Sequence, residues 1–252
     1  MQDYQDVFRQ RGGRYARAMR HCPGSREAEF RLVLAPLRLR PGHRVADIPS
    51  GGAYLHGFVP AGVEVYPVEA VPEFGAADEA DGTGGIIRSA IDSVPLADGF
   101  LDAVVSLAGL HHTEDKQAFF AEAFRLLRPG GRLVVCDVDA GSAAARFLNE
   151  FVDHYNPGGH EGVFLDESTA MQVEEAGFSV VEDAVHAYHW QFPGKREMVA
   201  FCADLFGMEA PGSQVEGGLR DYLGVDETTS ACLLRWGLRR IVADRGPSGA
   251  GY

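Results

Sequence analysis

The segment Arg44-Val45-Ala46-Asp47-Ile48-Pro49-Ser50-Gly51-Gly52-Ala53-Tyr54-Leu55 constrains the fold more than any other stretch of this chain. An apolar strand ends in an aspartate and runs into a turn of small residues. A second apolar strand, residues 63–68, then delivers Glu69. Small residues let backbone N–H groups come close to a ligand. An acid at the end of the neighbouring strand can hold both hydroxyls of a ribose. Together these features describe the floor of a nucleoside site.

The rest of the chain alternates in the way such a floor requires. Residues 3–20 and 25–38 are expected as helices, the second opened by Ser25. Residues 43–48 form a short strand, 53–58 begin a helix that Pro60-Ala61-Gly62 stops, and 63–68 form the second strand. Residues 70–85 are rich in Gly, Ala and Asp and are expected as loop with one weak helix. A third strand is expected at 86–91 and a buried strand at 101–107. The amphipathic helix 115–127 is stopped by Arg128-Pro129-Gly130-Gly131, and 133–138 is the next strand. Continuous apolar strands separated by helices make a parallel sheet covered on both faces.

Beyond residue 140 the pattern changes. Residues 142–151 and 167–176 are expected as helices, 178–192 as a long strand, 195–235 as mostly helix and 237–244 as the last strand. An insertion of that size before a final strand usually covers an active site. With 252 residues, 46% of them hydrophobic, the chain suffices for one large domain spanning 1–252. Within it, 1–40 read as an N-terminal helical lid, 41–140 as a ligand-binding half and 141–252 as the opposite half.

Charge is distributed unevenly. The net charge is −13, which argues against a nucleic-acid partner, because that needs a basic footprint. No Lys or Arg falls between Val45 and Ile87, where Asp47, Glu64, Glu69, Glu73, Asp78, Glu79 and Asp81 are acidic. Residues 1–44 reverse this with Arg9, Arg11, Arg14, Arg17, Arg20, Arg26 and Arg31. That arginine run reads either as a solvated helix face or as a basic lid that meets a carboxylate. No run reaches the ~18–20 apolar residues of a membrane span, and the N-terminus lacks a signal peptide's apolar core. Cys22, Cys136, Cys202 and Cys232 show no CxxC pairing. A cytoplasmic protein without disulfides is therefore expected.

Four segments, in order, carry a resemblance. They are the strand–Asp47–turn, Glu69, the stretch 93–106 followed by Leu110-His111-His112, and Phe124-Arg125-Leu126-Leu127-Arg128-Pro129-Gly130-Gly131-Arg132-Leu133-Val134-Val135. Over essentially its full length the chain resembles the class I S-adenosylmethionine (SAM) dependent methyltransferases of the small-molecule type. The resemblance implies an α/β, Rossmann-like, doubly wound and mostly parallel seven-stranded sheet with N-terminal helices and a helical lid insertion. It implies SAM as cofactor, S-adenosylhomocysteine as product, and methyl transfer to a small metabolite by in-line displacement. It also implies a monomer or homodimer, with neither nucleic acid nor membrane as partner.

The resemblance assigns residues as well. Pro49, Ser50, Gly51 and Gly52 would lie beneath the methionine end of SAM, near a helix N-terminus that favours its carboxylate. Asp47 would orient the amino-acid end, and Glu69 would accept from both ribose hydroxyls. Ala90 and Ile91 would flank the adenine, with Asp92, Ser89 or the backbone as alternative readers of its amine, and Leu107 and Ala108 would meet the cofactor after the fourth strand. In the family the turn is commonly Gly-x-Gly-x-Gly, and here those positions are Pro49, Gly51 and Ala53. Proline has no N–H to offer a ligand. This departure keeps open a SAM-binding enzyme of the same fold that does other chemistry, such as cyclising SAM or catalysing a rearrangement. A nicotinamide-dependent reductase is disfavoured, because no GxGxxG follows the first strand.

Methyl transfer needs a base only when the acceptor must lose a proton. His111 and His112 follow the strand 101–107, at the carboxyl edge where open parallel sheets bind ligands. His112 is the candidate base, and structural packing by one histidine of the pair is the alternative. His154, Tyr155 and His160 lie where this fold often places substrate contacts, with Tyr155 a second catalytic candidate. A metal site from these histidines is the disfavoured alternative, because no His/carboxylate spacing matches a known ligand set, and no metal is expected. His186, Tyr188, Trp190 and Phe192 share one strand face. Tyr188 and Trp190 are candidate acceptor contacts, against the alternative of an ordinary sheet face under the insertion. Phe8, Arg11 and Tyr15 recur at helical spacing, and Tyr15 and Arg11 are candidate cofactor contacts of a closing helix.

Overall fold

The structure is a computed structural model that describes residues 4–74 and 85–247, with side chains described from residue 12 onward. Seven strands form one sheet: β1 (Arg44–Asp47), β2 (Glu64–Pro67), β3 (Leu101–Leu107), β4 (Leu127–Asp137), β5 (Ser179–Phe192), β6 (Val225–Glu227) and β7 (Cys232–Asp244). Their order is β2-β1-β3-β4-β7-β5, with β6 on the side of β7. β2, β1, β3 and β4 run parallel, whereas β7 pairs antiparallel with β4, β5 and β6.

The parallel strands show why they are buried on both sides. Val45, Ala103, Val105, Val134 and Cys136 point into one core layer, and Ala46, Val104, Leu133 and Val135 into the other. Helices α1 (Tyr4–His21) and α2 (Glu27–Leu34) belong to the first layer. The second is built on α3 (Lys116–Leu126). Asp115 caps α3 by accepting from the Gln117 N–H at 3.0 Å, a contact of the kind worth about 1 kcal/mol. Next comes a helical rod, α4 (Ala143–Arg146), a π-helical turn Phe147–Val152 and α5 (Asp153–Tyr155). Helix α6 (Glu167–Glu175) opens with a capping box formed by Asp166 and Thr169. Helices α7 (Lys195–Leu205) and α8 (Gly212–Gly218) make up the insertion.

Three expectations change. The strand expected at 86–91 contributes only a parallel bridge between Val68 and Ile87. The apolar run there is too short for a ladder, and Arg88 instead donates to the Val71 and Phe74 carbonyls at 2.7 Å each. The seventh strand is β6, which the sequence pattern placed within the helical insertion. Helix ends at Leu223, and β7 begins at Cys232, because Cys232, Leu234, Trp236 and Leu238 alternate inward with a period of two. Ser25 does not open α2: the N-cap position falls on Arg26 and carries no side-chain cap bond.

The arginine run of the N-terminal helix meets a carboxylate of the protein itself. Arg17 holds Asp204 of α7 through two bonds of 2.6 Å, and Arg14 donates to the Met208 carbonyl at 2.9 Å. The N-terminal helix is thereby fastened to the insertion, and both sit over the carboxyl edge of the parallel strands. No helix among the described residues is long and apolar enough to cross a membrane. All four cysteines are free and buried.

Candidate active site

β1 ends in Asp47, which is buried, and the chain then turns through Gly51, Gly52 and Ala53 at φ of +54°, +105° and +62°. Only glycine takes this conformation without penalty, and an alanine there costs about 1–2 kcal/mol. The glycine usual in the family at the Ala53 position thus has a backbone reason. The unusual Pro49 has a packing reason. A Cβ built on Gly109 would stand 2.5 Å from Pro49 Cγ, so the proline ring fills the space left by the missing side chain.

Glu69 is fully buried, and its two carboxylate oxygens accept from the N–H of Gly51 at 3.0 Å and of Val71 at 2.9 Å. It holds the turn to the loop after β2. Asp47 lies close enough for like-charge repulsion. Burial, and then the Glu69 charge, push the Asp47 carboxyl well above its usual range. The hydroxyl of Ser50 is buried and has no hydrogen-bond partner.

Two cavities open at this edge. The first is lined by Asp47, Pro49, Ser50, Gly51, Leu107 and Tyr54, among others. The second is lined by His111, His112, His160, Trp190, Trp236 and Phe206, with further apolar side chains. Tyr15, Arg26 and Ala108 line both. Ala108 sits at φ +50°, a strained position for a residue with a side chain and one that recurs at functional sites.

The divide between the cavities is a buried polar network. Arg26 donates to the Tyr15 hydroxyl at 2.7 Å and pairs with Glu29 through both Nε and Nη2. The Trp190 indole N–H donates to the same Glu29 at 2.7 Å. Burial opposes the Arg26 charge, but Glu29 and Tyr15 outweigh it and hold its pKa above the ordinary value. Burial is also the main cause that raises the Tyr15 phenol. Sequence reasoning did not place Arg26 and Glu29 in the site. Their spacing of three on one helix was the available signal, and it is identical to that of a solvated surface pair.

In the second cavity His111 is buried, its ring Nδ1 2.7 Å from Asp137 Oδ1, and its N–H donates to Asp137 Oδ2 at 3.1 Å. The rings of His111, His112 and His160 lie within van der Waals reach, with centroids 4.1, 5.5 and 5.4 Å apart. Nitrogen atoms of all three lie within 4.8 Å of one another.

The structure therefore brings together Asp47, Pro49, Ser50, Gly51, Gly52, Glu69, Leu107, Ala108 and Tyr15 at the turn, and His111, His112, His160 and Trp190 beside it. Other expected residues lie elsewhere. Tyr155 packs on Phe151 at a centroid distance of 4.8 Å, and His154 packs on Tyr155 at 4.6 Å, and neither lines either of these two cavities. Tyr188 points inward from β5 among buried neighbours but lines neither cavity, whereas Trp190, two residues on, does. Ala90 is exposed and Ile91 packs into the second core layer, because the chain leaves the sheet after its single bridge at Ile87. The Arg11 side chain lies outside the described residues.

Known proteins match this arrangement. Residues 47–135 match the family model described as a methyltransferase domain. A demethylmenaquinone methyltransferase of Beutenbergia cavernae is 33% identical over 184 residues, covering 67% of this chain and 74% of that protein. Among solved structures, a putative methyltransferase of Bacillus halodurans superposes with a TM-score of 0.62 at 17% identity, covering 87% of this chain and 99% of its own. The [4+2]-cyclase SpnF superposes with a TM-score of 0.56 at 16% identity, covering 87% and 80%. The two structural likenesses show the fold alone, and that fold hosts more than one chemistry.

The sheet order and the matched methyltransferase domain define a Rossmann-like methyltransferase fold. The chain belongs to the class I SAM-dependent methyltransferases.

Proposed function

We propose that this protein transfers the methyl group of SAM to a small, flat, hydroxylated acceptor held in the histidine- and tryptophan-lined cavity. One observation carries the reading: Ala108, Tyr15 and Arg26 line both cavities, so ligands in the two would meet at that wall. The turn fits the cofactor. Ser50 offers an unmet hydroxyl, Gly51 exposes backbone, and Asp47 supplies a carboxylate that a cationic amino group would favour in its charged form. When bound there, SAM supplies a methyl group on a sulfonium.

The chain's own part is alignment and proton handling. Holding two reactants in line can lower a barrier by about 7–11 kcal/mol. Trp190, Trp236 and Phe206 stack on one another and line the cavity with aromatic carbon, and Leu148 and Leu205 add apolar wall. Such a surface suits a planar acceptor. The histidines supply the polar contact, and His112, which lines the cavity, is taken as the base for an acceptor hydroxyl. The name of the similar Beutenbergia cavernae protein points to an acceptor of this kind, a quinone-type ring.

The test is incubation with methyl-labelled SAM and a panel of hydroxylated aromatic acceptors. Labelled product and S-adenosylhomocysteine should form one to one. His112→Ala should lower turnover by about 10²–10⁴-fold while SAM affinity stays within about twofold by calorimetry. An acceptor converted without consumption of SAM would select other chemistry on the same fold. Failure to bind SAM at all would sink both readings.

A further inference from the structure

The three histidines of the second cavity come from separate segments. His111 and His112 sit in the short turn after β3, and His160 lies in the loop after α5. Offered nitrogens of all three lie within 4.8 Å of one another. Two ligand nitrogens on a tetrahedral metal at about 2.0–2.1 Å stand about 3.3–3.4 Å apart. The most widely separated imidazoles therefore need to close by up to about 1.4 Å, a side-chain adjustment, to share one ion.

The surroundings of the rings argue for such an ion more strongly than their proximity does. Both oxygens of Asp137 accept backbone N–H groups, from Val138 at 2.7 Å and from His111 at 3.1 Å. The same carboxylate faces His111 Nδ1 at 2.7 Å. An acceptor in that position calls for a proton on Nδ1 and places the ring's lone pair on Nε2. His160 is set in the same way by a different group. Its Nδ1 faces Asn149 Oδ1 at 3.0 Å. The Asn149 amide cannot be turned over, because Oδ1 accepts from the Gly162 N–H at 2.8 Å while Nδ2 donates to the Gly162 carbonyl at 3.1 Å. His160 is therefore also protonated on Nδ1, with its lone pair on Nε2. Its backbone N–H is held by Asp153 at 2.7 Å.

A histidine whose Nδ1–H is fixed by a carboxylate or amide oxygen is arranged as metal-ligating histidines generally are. Two such rings beside a third are more than a general base requires. Asn149 lies on the π-helical turn, and such turns are frequent at functional sites. Imidazole ligands suit zinc and its neighbours among divalent transition metals rather than magnesium or calcium.

We propose that His111, His112 and His160 bind one divalent transition-metal ion, zinc by ligand chemistry, with Asp137 and Asn149 orienting two of the rings and one coordination position open to the second cavity. A hydroxyl or thiol entering that position would coordinate as its anion and release its proton to water, so that with the ion bound His112 acts as a ligand and the metal takes over its proton-releasing part. This last clause deepens the methyl-transfer reading and rests on it; the metal site itself does not.

The experiment titrates tag-free, chelator-stripped, full-length protein with Zn²⁺ alone by calorimetry, and with Co²⁺ alone by visible absorption. Neither SAM nor acceptor is present, so the outcome is separate from that of the methyl-transfer assay. One ion per chain is expected, with a Co²⁺ spectrum of four or five coordination. His160→Gln should weaken Zn²⁺ binding more than 100-fold, and Asn149→Ala by about 10–100-fold. His154→Gln, whose ring is outside the cluster, should change it less than about twofold. Circular dichroism confirms that each variant is folded; should His160→Gln unfold, Asn149→Ala and the wild-type Co²⁺ spectrum decide. No Zn²⁺ uptake at neutral pH overturns the proposal, as does uptake undiminished by Asn149→Ala or six-coordinate Co²⁺.

Discussion

His111 grips Asp137 twice, through its ring Nδ1 at 2.7 Å and its backbone N–H at 3.1 Å, and thereby fixes the turn after β3 to the end of β4. Asp137 also accepts from the Val138 N–H at 2.7 Å. All the groups facing this carboxylate are donors. In Asp137→Asn the amide NH₂ must face one of them, which leaves a buried donor unmet at a cost of about 1–3 kcal/mol. A fall in Tm of several degrees is expected, together with reduced methyl transfer, because His112 is the next residue along. An unchanged Tm would show that the pair does not hold this turn.

Asp47 and Glu69 set stability against binding. Burial and the nearby Glu69 raise the Asp47 pKa in the fold. A carboxyl raised above its unfolded value favours the fold below the unfolded pKa, near 3.9, and that contribution is lost as pH rises through the folded pKa. At neutral pH the ligand-free protein therefore bears the cost of this group. Asp47→Asn should raise the Tm at pH 7 by about 2–4 °C, the equivalent of about 1 kcal/mol in a chain of this size. SAM affinity should fall in the same variant, a trade common at binding sites. Thermal melts with and without SAM read both effects, and a variant less stable without ligand would refute the assignment.

Asp102 contributes sensitivity to acid. Asp102 accepts from the Arg44 N–H at 2.8 Å and from Arg128 Nε at 2.7 Å. Burial would raise its pKa, but these two partners outweigh it and the net direction is down. A depressed folded pKa contributes stability that is complete above the unfolded value and is lost as pH falls through the folded one. Asp102→Asn should therefore cost about 1–3 kcal/mol at pH 7. The difference from wild type should shrink as pH falls below about 4. Urea melts at pH 7, 5 and 3 would measure it, and a gap that stays constant across them contradicts the argument.

Most of the fold was legible because its strands are locally consistent. Val45-Ala46 and Val134-Val135 are apolar on both faces, and the Asp47 turn and Glu69 follow strands whose register leaves little choice. The segment at 86–91 was misread because two isoleucines look like a strand until Arg88 turns away to bind the Val71 and Phe74 carbonyls. The hairpin of β6 and β7 was read as helix because its sequence carries no two-residue turn signal. In the site, local patterns marked Tyr15, Ser50 and His112, which sit on elements adjacent to the turn. They could not separate Trp190, which reaches a cavity, from Tyr188, which does not, because both share a strand face and the difference lies in tertiary partners, Glu29 of α2 and Trp236 of β7 for Trp190. The partnership of Arg26, Glu29, Tyr15 and Trp190 joins three distant segments, and no local pattern encodes it.

Pro49 and Gly109 should behave as one unit. A Cβ on Gly109 would lie 2.5 Å from Pro49 Cγ, a distance real side chains do not sustain, and a tight 3.0 Å from Pro49 Cδ. Gly109→Ala must therefore push the proline away, and with it the turn carrying Ser50 and Gly51. Overpacking of this kind costs about 1–3 kcal/mol, and SAM affinity should fall with it because the displaced residues line its cavity. Pro49→Ala removes both clashing atoms. In the double variant the added methyl group at position 109 finds room, so the combined loss should be smaller than the sum of the single losses by about 0.5–3 kcal/mol. Denaturant melts and SAM titrations on the four proteins close the cycle. Strict additivity would mean that the proline sits at the first turn position for some reason other than its contact with Gly109.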